Sequence, residues 1–464
     1  MKGTLRMLTA DAAHFASTLE LDAVPAQARR VARQCLQDFV GVALAGLTED
    51  ASRLTAAWVQ EENCGPAASV FGRPLLTSAA NAAFANGTAG HALDYDDVCL
   101  AMRGHPTTVC GPAAIATAEA MNANGADAMT GYIAGVELMI AMGFGIGRTH
   151  YPAGWHSTAT LGTIGATAAA ARVLRLDAQT TQHALGIAAS LASGMRCNFG
   201  SMTKPLHAGH AARNGVMAAS LAAKGLTANT GALESPIGFF ALLSRDSDIE
   251  RVAARLGREW SLVEPGMCIK RHPCCYGTHH AVDAMLALRA EHCLGPNAVR
   301  KIEVLVAAGG MAALIHDRPS TGLQGKFSLP YALAAALTDG ELTLDSFSDA
   351  AVSRAAVRAL LEHVECREAE GTPVGGDDPR YAELTLHLLN GRTLTRRVDY
   401  PRGSPEVPLT QEELDRKFLD CAAVALDQGS ARTALARLHT FERLRTLHEL
   451  TEVLRGRREE SSGL

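Results

Sequence analysis

The chain has few aromatic side chains, few cysteines for its length and no strong excess of either charge. Its 464 residues are 5% aromatic, include eleven cysteines and carry a formal net charge of −5. A slightly acidic chain gives no electrostatic reason to expect a nucleic acid or an anionic membrane surface as partner. Because the cysteines include no CxxC pair, the composition also excludes a disulfide scaffold and a cysteine-based zinc site.

Long apolar runs and a targeting segment are equally absent from the sequence pattern. Apolar stretches such as 164–174 are too short, and too interrupted by arginine, to span a bilayer, and the first residues do not resemble a signal or transit peptide. We therefore expect a protein of the reducing cytoplasm. With 47% hydrophobic and 20% charged residues the chain is globular, and its length favours two domains.

The region 25–260 has the apolar periodicity of an almost entirely helical body. Its segments are rich in alanine and glycine, and such small side chains allow helix backbones to approach closely. We predict helices from Pro25 to Gly46 and over 78–92, 111–122, 126–142, 157–174, 178–193 and 208–223.

The pattern changes after Pro265. Residues 301–306 alternate with a period of two, and 383–388 and 392–398 flank Asn390-Gly391. The first pattern predicts a half-buried strand and the second predicts a hairpin on a type I′ turn. Helical stretches at 278–290, 329–338 and 350–363 lie between them, so this region is α+β with a mostly antiparallel sheet.

A capping box at Thr410 and Glu413 marks the start of a helix, and the residues after it again have a helical pattern. The C-terminal helices are therefore expected to pack on the first helical region. The predicted fold is mainly α, with a large all-helical domain formed by 1–265 and 405–464 and a smaller α+β domain, 266–404, inserted in it.

Chemistry-bearing side chains gather in a few short segments. The most informative is 91–107, where carboxylates, imidazoles and a guanidinium crowd into a low-charge, Ala- and Gly-rich region. Charges near a packed interior are costly unless they are paired or used, so this segment suggests a site. The other segments are 153–158, where His156 precedes a helix, 201–213, 268–280 and 326–331.

Each of these residues also has a structural interpretation. Asp96 and Asp97 could cap a helix or orient neighbours, and His207 and His210 could be neighbours on one helix face with no ligand. Cys275 could be a small buried apolar residue. Tyr331 could belong to an amphipathic core. These interpretations explain the residues singly better than they explain the segments together.

The sequence has neither a P-loop nor a GxSxG elbow, and the glycine run closest to a dinucleotide-binding fingerprint, at 143–147, lies in a helical pattern. We therefore expect acid–base chemistry without an organic cofactor or a metal. The cationic side chains suit a substrate with two or three carboxylates. They are Lys204, His105, His156, Arg213, Lys270 and Arg271.

Five motifs in this order resemble the MmgE/PrpD family, which includes 2-methylcitrate dehydratase, cis-aconitate decarboxylase and iminodisuccinate epimerase. They are NGTAGHALDYDDV, GHPTTV, GWHSTATLGTIGATAAAARVLRL, MTKPLHAGHAARNG and IKRHPCCYGTHHAVDA, and the resemblance covers about residues 10–445. It implies a helical domain with an α+β lid, a homodimer, and a site between the domains.

The resemblance also implies a catalytic set, carried over motif by motif. It comprises Asp94, His105, His156, Lys204 and Tyr331. The same segments supply the candidate substrate-binding residues, which are Arg103, Thr203, His207, Arg213, Lys270, Arg271, Cys275 and Tyr276. Two positions depart from the decarboxylases: Cys275 stands where they carry histidine, and Val98 where they carry threonine.

These residues predict an enzyme that acts α to a carboxylate of a small di- or tricarboxylate through a carbanion-like intermediate. A lyase, either a dehydratase or a decarboxylase, is the leading interpretation. An epimerase of an iminodisuccinate-like acid and a non-catalytic polycarboxylate-binding protein are alternatives. A metal-dependent hydrolase is a further one, and it would use His207, His210, His279 and His280.

Overall fold

The computed structural model describes residues 7–371 and 380–456, and the fold is mainly α-helical. The helices before residue 260 are α1 (Leu8–Thr18), α2 (Ala26–Ala45), α3 (Asp50–Glu61), α4 (Ala79–Ala92), α5 (Thr107–Ala120), α6 (Gly125–Gly145), α7 (Ser157–Val173), α8 (Ala178–Leu191), α9 (Thr203–Ala223), α10 (Phe239–Leu243) and α11 (Ile249–Arg255). These bounds confirm most of the helices predicted for this region, with shifts of a few residues at their ends.

Glycines allow the central helices to pack backbone against backbone, as the composition predicted. A Cβ added to Gly209 on α9 would lie 2.2 Å from the carbonyl oxygen of Phe84 on α4. A Cβ added to Gly135 on α6 would lie 2.6 Å from the carbonyl oxygen of Gly165 on α7. Any larger side chain at these two positions would push apart the helices that carry the site.

Two details of the helical region differ from prediction. A short hairpin of β1 (Ala68–Val70) and β2 (Leu75–Thr77) interrupts it, and three-residue strands are too short to give a periodic signal. Helix α6 is long and apolar enough to cross a membrane by length and composition, which the sequence analysis did not notice. Its apolar window is entirely buried inside the protein.

The second region combines helices with a four-stranded sheet. Its elements are α12 (His279–Glu291), β3 (Val299–Val306), α13 (Gly322–Gly325), α14 (Leu329–Asp339), α15 (Asp349–Val352), α16 (Ala355–Leu361), β4 (Val364–Glu368), β5 (Ala382–Leu388) and β6 (Thr393–Val398). The strand order is β4-β3-β5-β6, with β3 and β4 parallel and the other pairs antiparallel. The predicted α+β character and mostly antiparallel sheet are confirmed.

The hairpin between β5 and β6 does not have the predicted turn. A type I′ turn needs a positive φ at both central residues. Only Gly391 has one, at +83°, whereas Asn390 does not. Since the amide of Leu388 donates to the carbonyl of Arg392 at 2.9 Å, the connection has three residues. The helix predicted over 350–363 is likewise wrong, because Arg354 takes an extended ψ of 125° that separates α15 from α16.

Three C-terminal helices complete the fold: α17 (Gln411–Ala422), α18 (Gln428–His439) and α19 (His448–Leu454). The capping box of Thr410 and Glu413 is present, as predicted. Helix α17 packs on α2, where Gly41 makes room for Phe418. One large apolar core joins the N-terminal helices to these C-terminal ones, and a second occupies 274–388. The domain boundaries near 265 and 405 stay a prediction.

Candidate active site

The loop that connects α4 to α5 carries the charged residues on which the sequence analysis focused. Asp94 lies two residues beyond the end of α4 and is buried. Its Oδ1 accepts a hydrogen bond from the ammonium group of Lys204 at 2.7 Å and forms an ion pair with the ammonium group of Lys270 at 3.1 Å. Burial alone would raise the pKa of Asp94, but these two ammonium groups outweigh it and hold the pKa well below its ordinary value. Asp94 is therefore ionised.

Lys204 lies in the first turn of α9, one residue before Pro205, so the helix begins five residues before the predicted start at 208. Proline is tolerated there because the first amides of a helix have no intrahelical acceptor. The Nζ of Lys204 lies 2.9 Å from Nε2 of His91 as well as 2.7 Å from Asp94. A buried lysine is thus fixed by one anionic and one neutral partner.

His91 and Asp96 form the support of Lys204. The Nδ1 of His91 lies 2.9 Å from Oδ2 of Asp96, and burial lowers the pKa of His91 to about 3. With Nδ1–H donating to the carboxylate, Nε2 is left as the acceptor for the Lys204 ammonium. The chain Asp96–His91–Lys204 therefore fixes both the tautomer of His91 and the position of Lys204.

His105 faces the same carboxylates from the end of the loop. Its Nδ1 lies 2.8 Å from the carbonyl oxygen of Asp97 and 3.2 Å from Oδ2 of Asp96. Its Nε2 lies 3.8 Å from Oδ1 of Asp94. The Nδ1 contacts orient the ring, and Nε2 is the nitrogen nearer to the Asp94 carboxylate.

His156 directly precedes the first residue of α7, as predicted, and its ring is buried. Burial and then the Lys204 ammonium hold the pKa of His156 well below its ordinary value. Its Nδ1 lies 3.1 Å from Nδ1 of His207, whose pKa burial lowers to about 4. Two neutral imidazoles at this distance share one proton, so one ring donates and the other accepts. His207 is half-buried and links His156 toward the surface.

Asp97 turns away from these groups into the core. Its carboxylate accepts from the amide of Thr107 at 3.3 Å and from the Thr107 hydroxyl, which also contacts Tyr132. Burial raises the pKa of Asp97 to about 7. Asp97 therefore holds the start of α5, in the orienting role that the sequence analysis considered for it.

A cavity opens beside these groups, where the two regions meet. Its lining combines residues of both regions: Asp94, Val98, Leu100, Arg103, His105, Tyr151, His156, Phe199, Lys204, Lys270, Cys275, Tyr276, Gly277, Gly309, Gly310, Ala312, Ala313, Phe327 and Arg380. Eight of the predicted site residues are in this lining, namely Asp94, Arg103, His105, His156, Lys204, Lys270, Cys275 and Tyr276.

The structure does not bring Tyr331 to the cavity. Its ring is buried in the second core, and its hydroxyl donates to the carbonyl of Ser346. The neighbouring Phe327 lines the cavity instead, with its ring centroid 5.1 Å from Nζ of Lys204. Tyr331 lies on the first turn of α14, where core packing determines its direction.

Four predicted substrate-binding residues also lie outside the cavity lining. Arg213 stacks on Trp58, with its guanidinium carbon 4.8 Å from the ring centroid, because it lies on the outer side of α9. Arg271 is exposed, one residue beyond the buried Lys270. Thr203 precedes Lys204 on α9, and His207 reaches the cavity only through His156.

The structure adds residues that sequence reasoning missed. His91 belongs to the motif that was recognised, but its role depends on Lys204, which is 113 positions away. Arg380 lines the cavity, and its buried Nε has no hydrogen-bond partner in the described part of the chain. No local pattern could have singled out Arg380, since it lies in a connection with no periodic signal.

One group of side chains in the described part of the chain has the composition of a metal site: His91, Asp94, Asp96 and His105, with ligand atoms within 4.8 Å of one another. However, the Lys204 and Lys270 ammonium groups already occupy Oδ1 of Asp94. A divalent cation there would have to replace or repel both. The donor set therefore fits its own lysines better than a metal.

Comparison with known families identifies both halves of the chain. The model described as the MmgE/PrpD N-terminal domain matches residues 10–252, and the MmgE/PrpD C-terminal domain matches residues 272–441. These two ranges fall within the stretch over which the motifs resembled this family.

Characterised relatives align with nearly the whole chain. The human cis-aconitate decarboxylase is 29% identical over 434 residues, which cover 91% of this chain and 89% of the relative. The cis-aconitate decarboxylase of Aspergillus terreus strain NIH 2624 is 27% identical, with 96% of both chains covered. A cis-aconitate decarboxylase-like protein of Aspergillus oryzae is 25% identical, with 97% of both covered.

Proposed function

The chain belongs to the MmgE/PrpD family and is an enzyme, and on this premise we propose that it is a lyase that removes CO₂ from a small unsaturated tricarboxylate of the cis-aconitate type. The observation that carries the proposal is the cavity itself. An ionised Asp94 holds the Lys204 ammonium beside two imidazoles in a cavity lined by both regions.

The charges of the cavity wall suit a polyanionic substrate. Its described lining includes four lysine or arginine side chains, Arg103, Lys204, Lys270 and Arg380, against the single carboxylate of Asp94. A bound polycarboxylate would balance this excess and provide an acceptor for the unpaired Nε of Arg380. In a water-poor cavity such interactions are stronger than at the surface.

The reaction needs one bond broken and one proton supplied. The bond between a carboxylate carbon and the adjacent carbon breaks, and the carboxylate leaves as CO₂. The electron pair left behind is delocalised through the neighbouring double bond onto a remaining carboxylate, and a proton then adds to carbon. An ammonium group near that carboxylate stabilises the developing charge, which is worth several kcal/mol in preorganised sites.

Lys204 is the cation for this role because Asp94 and the Asp96–His91 pair fix its position. Oδ2 of Asp94 is buried and has no hydrogen-bond partner in the described residues.

We assign proton delivery to His156. It is neutral in the empty site, and the negative charge of the substrate raises its pKa when bound. His207 then passes a replacement proton from the surface side.

The α+β region takes part in this site, and we propose that residues 266–404 act as its lid. Support comes from Lys270, Cys275, Phe327 and Arg380, which complete a cavity whose other wall is helical. We further propose a homodimer in the cytoplasm. All eleven cysteines are free in the structure, in keeping with a reducing compartment.

A second candidate is epimerisation of an iminodisuccinate-like dicarboxylate. The two departures from the decarboxylases bear on it, since Val98 and Cys275 both line the cavity and weaken a strict decarboxylase assignment. An epimerase passes through a similar carbanion and returns the proton to the opposite face. The same Lys204 would stabilise it.

The test is incubation of the purified enzyme in D₂O with cis-aconitate, 2-methylcitrate, citrate and iminodisuccinate, followed by proton NMR and CO₂ detection. We expect consumption of cis-aconitate, release of CO₂ and one deuterium on carbon in the product. Deuterium in iminodisuccinate without net change would establish the epimerase instead. A rise in melting temperature with citrate, without turnover of any acid, would establish a non-catalytic binding protein.

A further inference from the structure

Three buried lysines bind three consecutive backbone carbonyls at the centre of the site. The Nζ of Lys326 donates to the carbonyl oxygen of Leu93 at 2.7 Å, and Nζ of Lys270 donates to that of Asp94 at 2.6 Å. Nζ of Lys417 donates to the carbonyl oxygen of Tyr95 at 3.0 Å. The three lysines come from distant parts of the chain and meet only at the segment that carries Asp94.

Two of these lysines also bind a second segment, the one that carries Lys270. Lys326 donates to the carbonyl of Pro273 at 3.0 Å, and Lys417 donates to the carbonyl of Lys270 at 2.9 Å. Lys417 is anchored in turn by Oδ1 of Asp38 at 2.6 Å. Lys326 and Lys417 therefore cross-link residues 93–95 to residues 270–273, and these two segments bring Asp94 and Lys270 together.

Asp94 needs such support because its backbone is unusual. Its φ is +50°, in the left-handed region that residues other than glycine seldom adopt. Such a conformation persists only when the surroundings determine it from several sides. The carbonyls on both sides of Asp94 are held by ammonium groups, and its own carbonyl is held by Lys270. Together these bonds fix the direction in which the Asp94 side chain leaves the loop.

The burial of these lysines argues for a function beyond surface solubility. Lys270, Lys326 and Lys417 are 0%, 3% and 9% exposed. In the described part of the chain the ammonium of Lys326 donates to two carbonyls and to no carboxylate, and burial lowers its pKa to about 8. Burying a cation without a counter-ion is costly, so an apolar residue would be expected there unless the donor is needed.

We propose that Lys326 and Lys417 are positioning residues for the reaction, which hold the Leu93–Tyr95 backbone so that the Asp94 carboxylate meets Lys204. The proposal rests on the proposed function for its chemistry, but the placement of Asp94 does not depend on which acid is the substrate. It also connects both the α+β region and the C-terminal helix α17 to the site, since each supplies one of the two lysines.

The test compares Lys326→Met and Lys417→Met with Lys301→Met, a matched control on the solvent-accessible side of β3. Methionine keeps most of the volume of lysine and removes its donors. We expect kcat per folded molecule to fall by about ten- to a hundredfold in the two variants, because misplacement of a catalytic group by about 1 Å has effects of this size. KM should change by less than about threefold. Lys301→Met should keep wild-type kcat and KM. A purely structural role predicts a lower melting temperature with wild-type kcat per folded molecule, and that result would overturn the proposal.

Two further measurements keep the proposal testable if a methionine variant fails to fold or if the substrate is not the expected one. Lys326→Arg keeps the charge and the N–H donors, so kcat should lie closer to the wild-type value than it does in Lys326→Met, with KM little changed. A kcat as low as that of Lys326→Met, in a variant whose crystal structure keeps both carbonyl hydrogen bonds, would contradict the proposal. Crystal structures of the variants give a readout without turnover: we expect Oδ1 of Asp94 to move out of hydrogen-bond distance of Nζ of Lys204. An unmoved Asp94 would refute the positioning role even if cis-aconitate is not turned over, whereas a displaced Asp94 in an enzyme inactive on cis-aconitate would refute only the proposed substrate.

Discussion

The loop between α4 and α5 has a side that faces the cavity and a side that faces the core. Each side carries a buried aspartate, and the two carboxyl groups have opposite pKa shifts. On the cavity side, Asp94 receives two ammonium groups and stays ionised. On the core side, three residues further on, Asp97 receives a hydroxyl and an amide, and burial raises its pKa to about 7. Both carboxyl groups are buried, so burial alone does not mark a catalytic residue. Asp94 and Asp97 differ in the cations that lie beside them.

The comparison gives a rule for interpreting the charged segment. A carboxylate that keeps its charge in the interior does so because the fold has brought cations to it, and those cations are then available to an anionic ligand. A carboxyl group without cations becomes easier to protonate and serves as a hydrogen-bond acceptor for its own backbone. By this rule we assign Asp94 to the proposed chemistry and Asp97 to the fold. Four substitutions test that division.

The largest effect is expected for Asp94→Asn. The substitution keeps the shape but leaves the Lys204 and Lys270 ammonium groups without their anion, so Lys204 loses its fixed position. We expect kcat per folded molecule to fall by about a hundred- to a thousandfold, comparable to the loss of one preorganised electrostatic group. Steady-state kinetics on the substrate found in the D₂O screen measures this. A decrease smaller than about fivefold would remove Asp94 from the site.

Arg380→Met should come next and should act on binding. Losing a guanidinium from the cavity wall weakens a carboxylate contact, so KM should rise by about tenfold, equivalent to about 1.4 kcal/mol, while kcat changes little. The exposed Arg271, which the sequence analysis included in the site, is the matched control. If Arg271→Met raises KM as much as Arg380→Met does, the effect is one of overall charge and the assignment of Arg380 is wrong.

His207→Gln tests the link from the cavity to the surface. Because glutamine cannot pass a proton in the same way, resupply of His156 should slow, and kcat should fall by about tenfold, at the low end of general acid–base contributions. In the free wild-type enzyme the His207 ring should remain neutral through pH 6 and titrate near 4, since burial lowers its pKa to about 4. Histidine ring NMR, assigned with His207→Gln, would contradict this account if the missing signal titrates at the ordinary value near 6.5.

Asp97→Asn should change activity least, by less than about twofold, because its carboxyl group faces Thr107 and not the cavity. The substitution should instead change how the free energy of unfolding depends on pH. The folded pKa of Asp97, about 7, lies above the unfolded value of 3.8, so the native state binds a proton that the unfolded state has lost. This contribution to stability is complete below about pH 4 and is lost as pH rises toward and through 7, by at most about 1.4 kcal/mol per pH unit. Denaturant unfolding of wild type and Asp97→Asn at pH 5 and pH 7 should show the wild type losing stability relative to the variant. A constant difference would show that Asp97 is ionised throughout.

Sequence reasoning went furthest where structure and chemistry are local. Repeated apolar spacing predicted most of the long helices, and the compact motif around Asp94 and His105 predicted part of the cavity wall. It failed where packing between distant segments determines the direction of a side chain or the length of a turn. Tyr331 is turned into the second core by α14, and the turn at Asn390-Gly391 has one more residue than the type I′ turn allows.

The contacts of Lys326 and Lys417 also could not be predicted from the sequence. Lys326 belonged to a recognised segment, yet nothing in that segment indicates that its acceptors are Leu93 and Pro273. Lys417 lies on an amphipathic helix whose pattern predicts a solvent-facing charge. Only the packing of α17 on α2 buries it beside Asp38. Contacts between residues hundreds of positions apart leave no periodic signal in one sequence.

In the proposed mechanism a positioned Lys204 stabilises the charge formed during the reaction, and CO₂ release by one matched pair of variants measures this role. Lys204 lies in the first turn of α9 and is buried at the cavity. Lys224 is the residue that follows the last turn of the same helix, and it is exposed. CO₂ release from carboxyl-labelled cis-aconitate by Lys204→Met and Lys224→Met, each normalised to folded protein, compares them on the same helix. We predict a loss of at least about a hundredfold for Lys204→Met and wild-type release for Lys224→Met. Near wild-type release by Lys204→Met would contradict the account.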